Sequence, residues 1–320
     1  MNARSGTLDE SLTLEGGEIV INAIFLVALT AFGLVFGSFA NVVIWRFPRG
    51  ESLSHPDSHC PVCSTPIQWR DNIPVISWLV LKGRCRACGV QISPRYPTVE
   101  LVSGVLWLAA GIRFGLTLQT AAAVVFFYLL MILAFIDIDT LRLPNPLVTL
   151  LASAGLLGAV ISQLTHVPMV PILPGGSIFA QSPLIASVEG ALLCAFPAMT
   201  LSLVMSALLK RPALGMGDVK LLGVLGIFLG AYGLLAFFIG SLIGSVHGIV
   251  AARSRGNQAA AVSSGAVIDQ GFDSSGHTAT GDSPSPSQPF PFGPSLAAGA
   301  VIVTLVGPQL WKWYQSLFLV

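Results

Sequence analysis

The chain has 320 residues, of which 53% are hydrophobic and only 10% are charged, and its mean hydropathy is +0.78. Soluble globular domains rarely reach these values, so the composition predicts a membrane protein whose first partner is the lipid bilayer. A formal net charge of +1 excludes a nucleic-acid binder that works by bulk electrostatics.

Apolar runs along the chain predict an all-α polytopic fold, because backbone amides in hydrocarbon must be satisfied within their own segment. About eight runs qualify as spanning helices. The first differs from a cleavable signal peptide because its basic residues follow the apolar stretch, so we expect it to stay in the membrane. The runs are 19–45, 99–112, 121–136, 146–164, 185–209, 221–229, 234–250 and 295–313.

The charges that flank these runs predict the topology. Acidic residues dominate before residue 19, whereas seven Lys and Arg residues lie between 46 and 97. By the positive-inside rule the N-terminus faces out and the segment 46–97 is cytoplasmic. The predicted division is an outer tail (1–18), a first helix (19–45), a cytoplasmic metal-binding segment (46–97), a transmembrane core (98–251), a disordered cytoplasmic loop (252–290) and a final helix (291–320).

Four cysteines in the cytoplasmic segment have the spacing of a metal site. The motifs C-P-V-C and C-R-A-C-G, 21 residues apart, hold Cys60, Cys63, Cys85 and Cys88. Four thiolates suit a closed, structural zinc ion in an insertion between spanning helices 1 and 2. Two disulfides, four free thiols, or substitution by the flanking His55 and His59 remain alternatives. Cys194 lies inside an apolar run, which indicates that it packs within the membrane bundle and is not a nucleophile.

Carboxylates that close apolar runs are functional candidates, because ionisable groups near membrane depth are costly. Asp137 and Asp139 end the third run, and Asp218 follows Gly215 and Gly217 in G-M-G-D. A close pair with one ionised and one protonated carboxyl can hydrolyse a peptide bond. Helix capping and a proton or cation pathway fit the same residues, so the pattern alone leaves protease, transporter and a purely structural role open.

Several motifs in one order resemble the prepilin leader peptidases of the GxGD aspartic protease group. They are G-S-F-A-N-V-V-I-W-R-F-P (37–48), the paired C-x-x-C, I-S-P-R-Y-P-T-V-E ending at Glu100, both aspartate motifs, and P-F-G-P (291–294). In that family the first catalytic aspartate lies seven residues before a proline, which selects Asp137 before Pro144 over Asp139. The second is the aspartate of GxGD, here Asp218.

The resemblance implies an activity and its partners. It implies cleavage of a basic leader, after a glycine, from a type IV prepilin or pseudopilin at the cytoplasmic face of the bacterial inner membrane. Family members with the extended cytoplasmic segment also methylate the new N-terminus with S-adenosylmethionine, although the sequence contains no glycine-rich nucleotide loop. The connection 165–182 and the loop 254–288 are longer than the family pattern.

Overall fold

Helices are the main secondary structure of the described part of the chain. The structure is a computed structural model that describes residues 5–173, 182–210, 215–263 and 291–318. Within these ranges there are nine α-helices and no strand. They are α1 (Ser5–Arg46), α2 (Ile76–Val80), α3 (Arg95–Phe114), α4 (Leu118–Thr140), α5 (Asn145–Thr165), α6 (Pro183–Leu209), α7 (Met216–Leu229), α8 (Tyr232–Ser263) and α9 (Gly293–Phe318).

Each of the eight apolar runs lies within one of these helices, which confirms the predicted all-α membrane fold. Seven helices in the described ranges are long and apolar enough to cross a bilayer: α1, α3, α4, α5, α6, α8 and α9. The run 221–229 lies in α7, which has only 14 residues. At 1.5 Å per residue it is about 21 Å long, less than the hydrocarbon thickness of about 30 Å.

Two helices extend into segments that the predicted division assigned to a tail or a loop. Helix α1 begins at Ser5, so the backbone of residues 5–18, expected as an outer tail, continues the first spanning helix. Helix α8 likewise runs through 252–263, the start of the segment expected to be disordered, where three consecutive alanines (259–261) have high helix propensity. The rest of that segment, 264–290, lies outside the described residues.

The short helix α7 is enclosed by its neighbours. Nine of its 14 residues are buried, including Phe228 and Leu229. A Cβ atom added to Gly226 would overlap the backbone of Gly190 in α6, and a Cβ atom on Gly155 in α5 would lie 2.7 Å from the side chains of Ile227 and Phe228. Small residues therefore let α5, α6 and α7 approach closely, which is the usual basis of helix packing in membranes.

The connection after α5 covers the far end of α7. The amide of Ile172 donates a hydrogen bond to the carbonyl of Phe228 at 2.8 Å, and the side chains of Val170, Ile172 and Leu173 are buried. A helix end leaves carbonyls without intrahelical partners. The uncharged connection thus packs beyond the end of the short helix α7 and satisfies one of the free carbonyls at that end.

Helices α1 and α3 form a pair at the edge of the bundle. A Cβ atom on Gly37 would lie 2.6 Å from the Cα atom of Glu100, and one on Gly33 would lie 2.9 Å from the ring of Trp107. The side chains of α1 on the other side are mostly exposed, as expected for a helix that faces lipid. Between α1 and α3 the chain leaves the bundle as an insertion, residues 47–94.

The α6–α7 contact yields a test of the packing. Replacing Gly226 by Ala should lower the free energy of unfolding by about 1–3 kcal/mol, because the added methyl group forces α6 and α7 apart. Reversible unfolding in mixed detergent measures this change. Gly248→Ala is the matched control, since a Cβ atom at this helical position meets nothing within 4 Å. Equal stability of the two variants would contradict the close packing described here.

Candidate active site

Asp137 lies at the end of α4 with its side chain buried. Helix α4 ends at Thr140 because Leu141 adopts a left-handed conformation and its amide donates to the carbonyl of Asp137. The carboxylate itself points to another helix: Oδ2 accepts a hydrogen bond from the amide of Gly293 at 2.9 Å. Gly293 is the first residue of α9. The positive end of that helix dipole therefore faces the carboxylate and offsets part of the cost of burying it.

Glycine is required at this contact. A Cβ atom at Gly293 would lie 2.7 Å from Oδ2 of Asp137, closer than a side-chain carbon can approach without displacing the carboxylate. The motif P-F-G-P therefore supplies the partner of the first aspartate. Its position in the sequence gave no sign of this contact, because 156 residues separate the two groups.

Asp218 is the third residue of α7 and is half-buried. Its carboxylate accepts a hydrogen bond from the amide of Gly215 and is close enough to Asp137 for a coulombic interaction. Gly215 is the N-cap, so Asp218 reaches back to it as the third residue of a capping box does. The capping contact and the proximity to Asp137 thus occur in one residue, so a capping role for Asp218 does not exclude a second role beside Asp137.

The second glycine of the motif also permits a close approach. A Cβ atom on Gly217 would lie 3.2 Å from the side chain of Leu143, in the connection between α4 and α5. The first turn of α7 therefore packs against the chain that directly follows α4. Nζ of Lys220, the fifth residue of α7, donates to Oδ1 of Asn145 at 3.0 Å, which joins α7 to the first residue of α5.

Asp139 has a different role from Asp137. Both of its carboxylate oxygens accept hydrogen bonds from the guanidinium of Arg95, each at 2.6 Å. Arg95 begins α3, so this bidentate pair joins the start of α3 to the end of α4. A carboxylate held in this way is committed to a structural ion pair, whereas Asp137 faces Asp218 and α9.

The four cysteines of the insertion form one cluster. Their sulfur atoms all lie within 4.8 Å of one another, with Cys60 and Cys88 at 3.8 Å and Cys63 and Cys85 at 4.0 Å. A tetrahedral zinc site with bonds of about 2.3 Å places neighbouring sulfurs about 3.8 Å apart, whereas a disulfide requires about 2.05 Å. The cluster therefore fits a metal ion and does not fit two disulfides.

Local donors favour the thiolate form that a metal requires at two of the four cysteines. The hydroxyl of Thr65, followed by its backbone amide, lowers the pKa of Cys63 to about 6. The backbone amides of Cys88 and Ala87 lower the pKa of Cys85. The two C-x-x-C turns thus direct hydrogen-bond donors at Cys63 and Cys85, and thiolates are the form of cysteine that binds metals. At Cys88, although the backbone of Val90 acts in the opposite sense, burial and the neighbouring sulfurs raise the pKa to about 11.

The other candidate ligands lie outside this cluster. Nδ1 of His55 contacts the hydroxyl of Ser54, Nδ1 of His59 contacts the carbonyl of Asp57, and neither ring belongs to the group of possible ligands. Cys194 is buried in α6, with its sulfur 3.8 Å from the carbonyl of Gly230. It packs in the bundle, as its apolar run predicted.

Comparison with known proteins finds, along most of the chain, the peptidase family that the sequence motifs resemble. Residues 31–114 match the Bacterial Peptidase A24 N-terminal domain, and residues 124–249 match the Type IV leader peptidase family. The second match contains both Asp137 and Asp218, and the first contains the four cysteines. No solved structure matches the chain significantly.

Three relatives share the name prepilin leader peptidase/N-methyltransferase. The protein from Bacillus subtilis is 34% identical over 91% of this chain and 98% of its own length. That from Neisseria gonorrhoeae is 34% identical over 90% of this chain and 93% of its own, and that from Klebsiella pneumoniae is 41% identical over 62% and 82%. Since both domain matches occur in order and two of these relatives are covered over 98% and 93% of their lengths, the chain belongs to the type IV leader peptidase family.

Proposed function

We propose that this protein cleaves the basic leader from type IV prepilins or pseudopilins, after a glycine, and then N-methylates the new N-terminal residue with S-adenosylmethionine. The observation that supports the proposal is the proximity of Asp218 to Asp137, within range of a coulombic interaction, beside the first residue of α9. The names of the relatives support both activities. None of these names describes a transporter, and no contact described above favours transport.

In the proposed reaction the two carboxylates act as a pair. Like charges at close range in a partly dry site resist double ionisation, so the pair holds one proton between its two carboxyl groups. The ionised carboxylate takes a proton from a water molecule that attacks the carbonyl carbon of the glycine at the scissile bond. The protonated partner hydrogen-bonds the carbonyl oxygen, and the departing amine then receives a proton.

The arrangement of the helices supports a site at the cytoplasmic face of the bacterial inner membrane. The Arg95–Asp139 pair joins the return of the insertion to the end of α4, so the insertion and the aspartate pair lie at the same end of the bundle. That end also carries the basic residues of the predicted cytoplasmic segment. A leader attached to an apolar helix in the bilayer would meet the pair there, with the N-terminus of the enzyme outside.

We assign zinc to the cysteine cluster. Cys60, Cys63, Cys85 and Cys88 would provide four thiolates and close the coordination shell, so the ion would hold the two turns of the insertion together and take no part in the reaction. This gives the predicted segment 46–97 a structural core of its own beside the protease core, 98–251.

The first prediction concerns the aspartate pair. Asp137→Asn and Asp218→Asn should each lower the rate of leader release by on the order of 10²–10⁴-fold or more, since each removes a group that transfers protons. Incubation of purified protein with a prepilin, followed by detection of the shortened product, measures the rate. Asp139→Asn is the matched control, because it changes a carboxylate two residues away in the same helix and should retain cleavage.

Unimpaired cleavage by either of the first two variants would refute the pair. Strong loss in Asp139→Asn together with retained cleavage in Asp137→Asn, with the helical fold intact, would move the first catalytic role to Asp139.

A second prediction separates methylation from cleavage. Asp218→Asn should still transfer label from S-adenosylmethionine to a pilin that has already been cleaved, because the carboxylate pair acts only on the peptide bond. Radiolabel in the pilin band measures transfer, and an uncleaved prepilin is the control that should stay unlabelled. Absence of label with the wild-type protein would remove the methyltransferase half of the proposal and leave the peptidase intact.

A third prediction concerns the metal. The purified protein should contain about one zinc ion per chain, and Cys60→Ser combined with Cys63→Ser should release it, because two of four ligands are lost. Elemental analysis by mass spectrometry measures the content. Cys194→Ser should retain the ion, since this thiol is buried in α6 away from the cluster. Equal metal content in the two variants would contradict the assignment.

A further inference from the structure

Within residues 69–80 the insertion exposes several large apolar side chains. Trp69 is 84% exposed and Val80 is 69% exposed, and Ile73, Ile76 and Leu79 lie between them with two-fifths or more of their surface exposed. We call these five residues the insertion patch. In a water-soluble domain an exposed group of this kind usually marks a surface that contacts a partner or a membrane.

The opposite face of the same segment is packed and its polar groups are satisfied. The hydroxyl of Ser77 donates to the carbonyl of Arg70 and accepts from the amide of Ile73, both at 3.0 Å. The indole nitrogen of Trp78 donates to the carbonyl of Ile92 at 3.2 Å. Because these bonds fix the orientation of α2, the insertion patch cannot rotate into the core of the insertion.

One hydrogen bond places the chain before α2 next to the side of α3 and not beyond the end of that helix. The amide of Val75, directly before α2, donates to Oε2 of Glu100 at 2.7 Å. Glu100 lies five residues after Arg95, the first residue of α3, which is about 7.5 Å along the helix axis. The approach to α2 is therefore level with the second turn of a spanning helix. Amphipathic segments that lie in the membrane interface are buried about 5–10 Å into the headgroup and acyl boundary.

The end of α1 marks the same boundary. The guanidinium of Arg49 lies 3.6 Å from the ring centre of Trp45, and Trp45 is itself more than half exposed. Tryptophan and arginine at the end of an apolar helix are typical of the bilayer interface.

The polar rim of the insertion patch is basic. Arg70, Lys82 and Arg84 are exposed, and Asp71, the single acidic residue between 67 and 84, is neutralised by a 2.7 Å ion pair with Arg86. Basic residues near a bilayer surface are attracted to anionic headgroups. The basic charge and the exposed apolar side chains therefore both favour contact with an anionic lipid surface.

We propose that the insertion patch is seated in the anionic leaflet of the bilayer that the bundle spans. The five apolar side chains would enter the headgroup and acyl boundary, and Arg70, Lys82 and Arg84 would contact lipid phosphates. This seating would hold the insertion against the membrane beside α3. It does not depend on the reaction assigned to the aspartate pair.

Two valines provide a matched test. A fluorescent non-canonical amino acid is introduced separately at Val80, in the patch, and at Val62, which is 66% exposed in the first cysteine turn. The full-length protein is reconstituted in bilayers of phosphatidylglycerol and phosphatidylcholine with brominated acyl chains, which quench only nearby fluorophores. We expect quenching at position 80 to be about twofold or more stronger than at position 62. Equal quenching at the two positions would overturn the proposal.

A second pair of measurements separates lipid from a protein occupant. Exchange of phosphatidylglycerol for phosphatidylcholine, or the combined changes Arg70→Gln, Lys82→Gln and Arg84→Gln, should weaken quenching at position 80. Unchanged quenching would overturn the role of the basic rim. A photoreactive amino acid at Leu79 should form adducts with lipid in the presence of a prepilin. Adducts formed mainly with the prepilin would show that the patch serves the substrate and not the bilayer.

Discussion

The hydrogen bond from the amide of Gly293 to Asp137 is the contact on which the arrangement of the site depends. A carboxylate buried at the end of a membrane bundle is costly unless a donor compensates it. Here the donor is the first amide of a helix, which brings a partial positive charge as well as a hydrogen bond. To deliver it, α9 must begin beside the end of α4, and the residue at that point must lack a side chain.

The short helix α7 completes the same geometry. Asp218 lies in its first turn, so the depth of this carboxylate is set by where α7 begins and by what surrounds it. The glycine contact with α6 holds the helix laterally, and the bond between Ile172 and Phe228 covers its other end. A helix of 14 residues can therefore remain inside a bundle whose other members span the bilayer.

Local sequence patterns predicted the helices and the cysteine cluster of this protein, but they did not predict the tertiary contacts between the helices. Hydropathy located all eight apolar helices, and cysteine spacing located the cluster, because both signals are contained within short stretches. The choice of Asp137 over Asp139 came from family spacing, and the structure supplies a physical difference between them: Asp139 is paired with Arg95, whereas Asp137 faces α9.

The run 221–229 illustrates the limit of prediction from local pattern, since nine apolar residues do not reveal whether a helix spans the membrane or is enclosed within it. The partner of Asp137 was equally hidden, because a backbone amide 156 residues away leaves no periodic signal.

Two side-chain contacts connect the insertion and its return into the bundle to the site. They involve different turns of α3. The Arg95–Asp139 pair ties the start of α3 to the last turn of α4, two residues from Asp137. The bond from Val75 to Glu100 ties the approach to α2 to the second turn of the same helix α3. Since α3 also packs tightly on α1 through Gly37, a displacement of the insertion would be transmitted to the end of α4 through one rigid helix. A metal-held insertion seated on the membrane would therefore restrict the position of the first aspartate without contacting it, which gives a physical reason for this insertion to accompany this protease core.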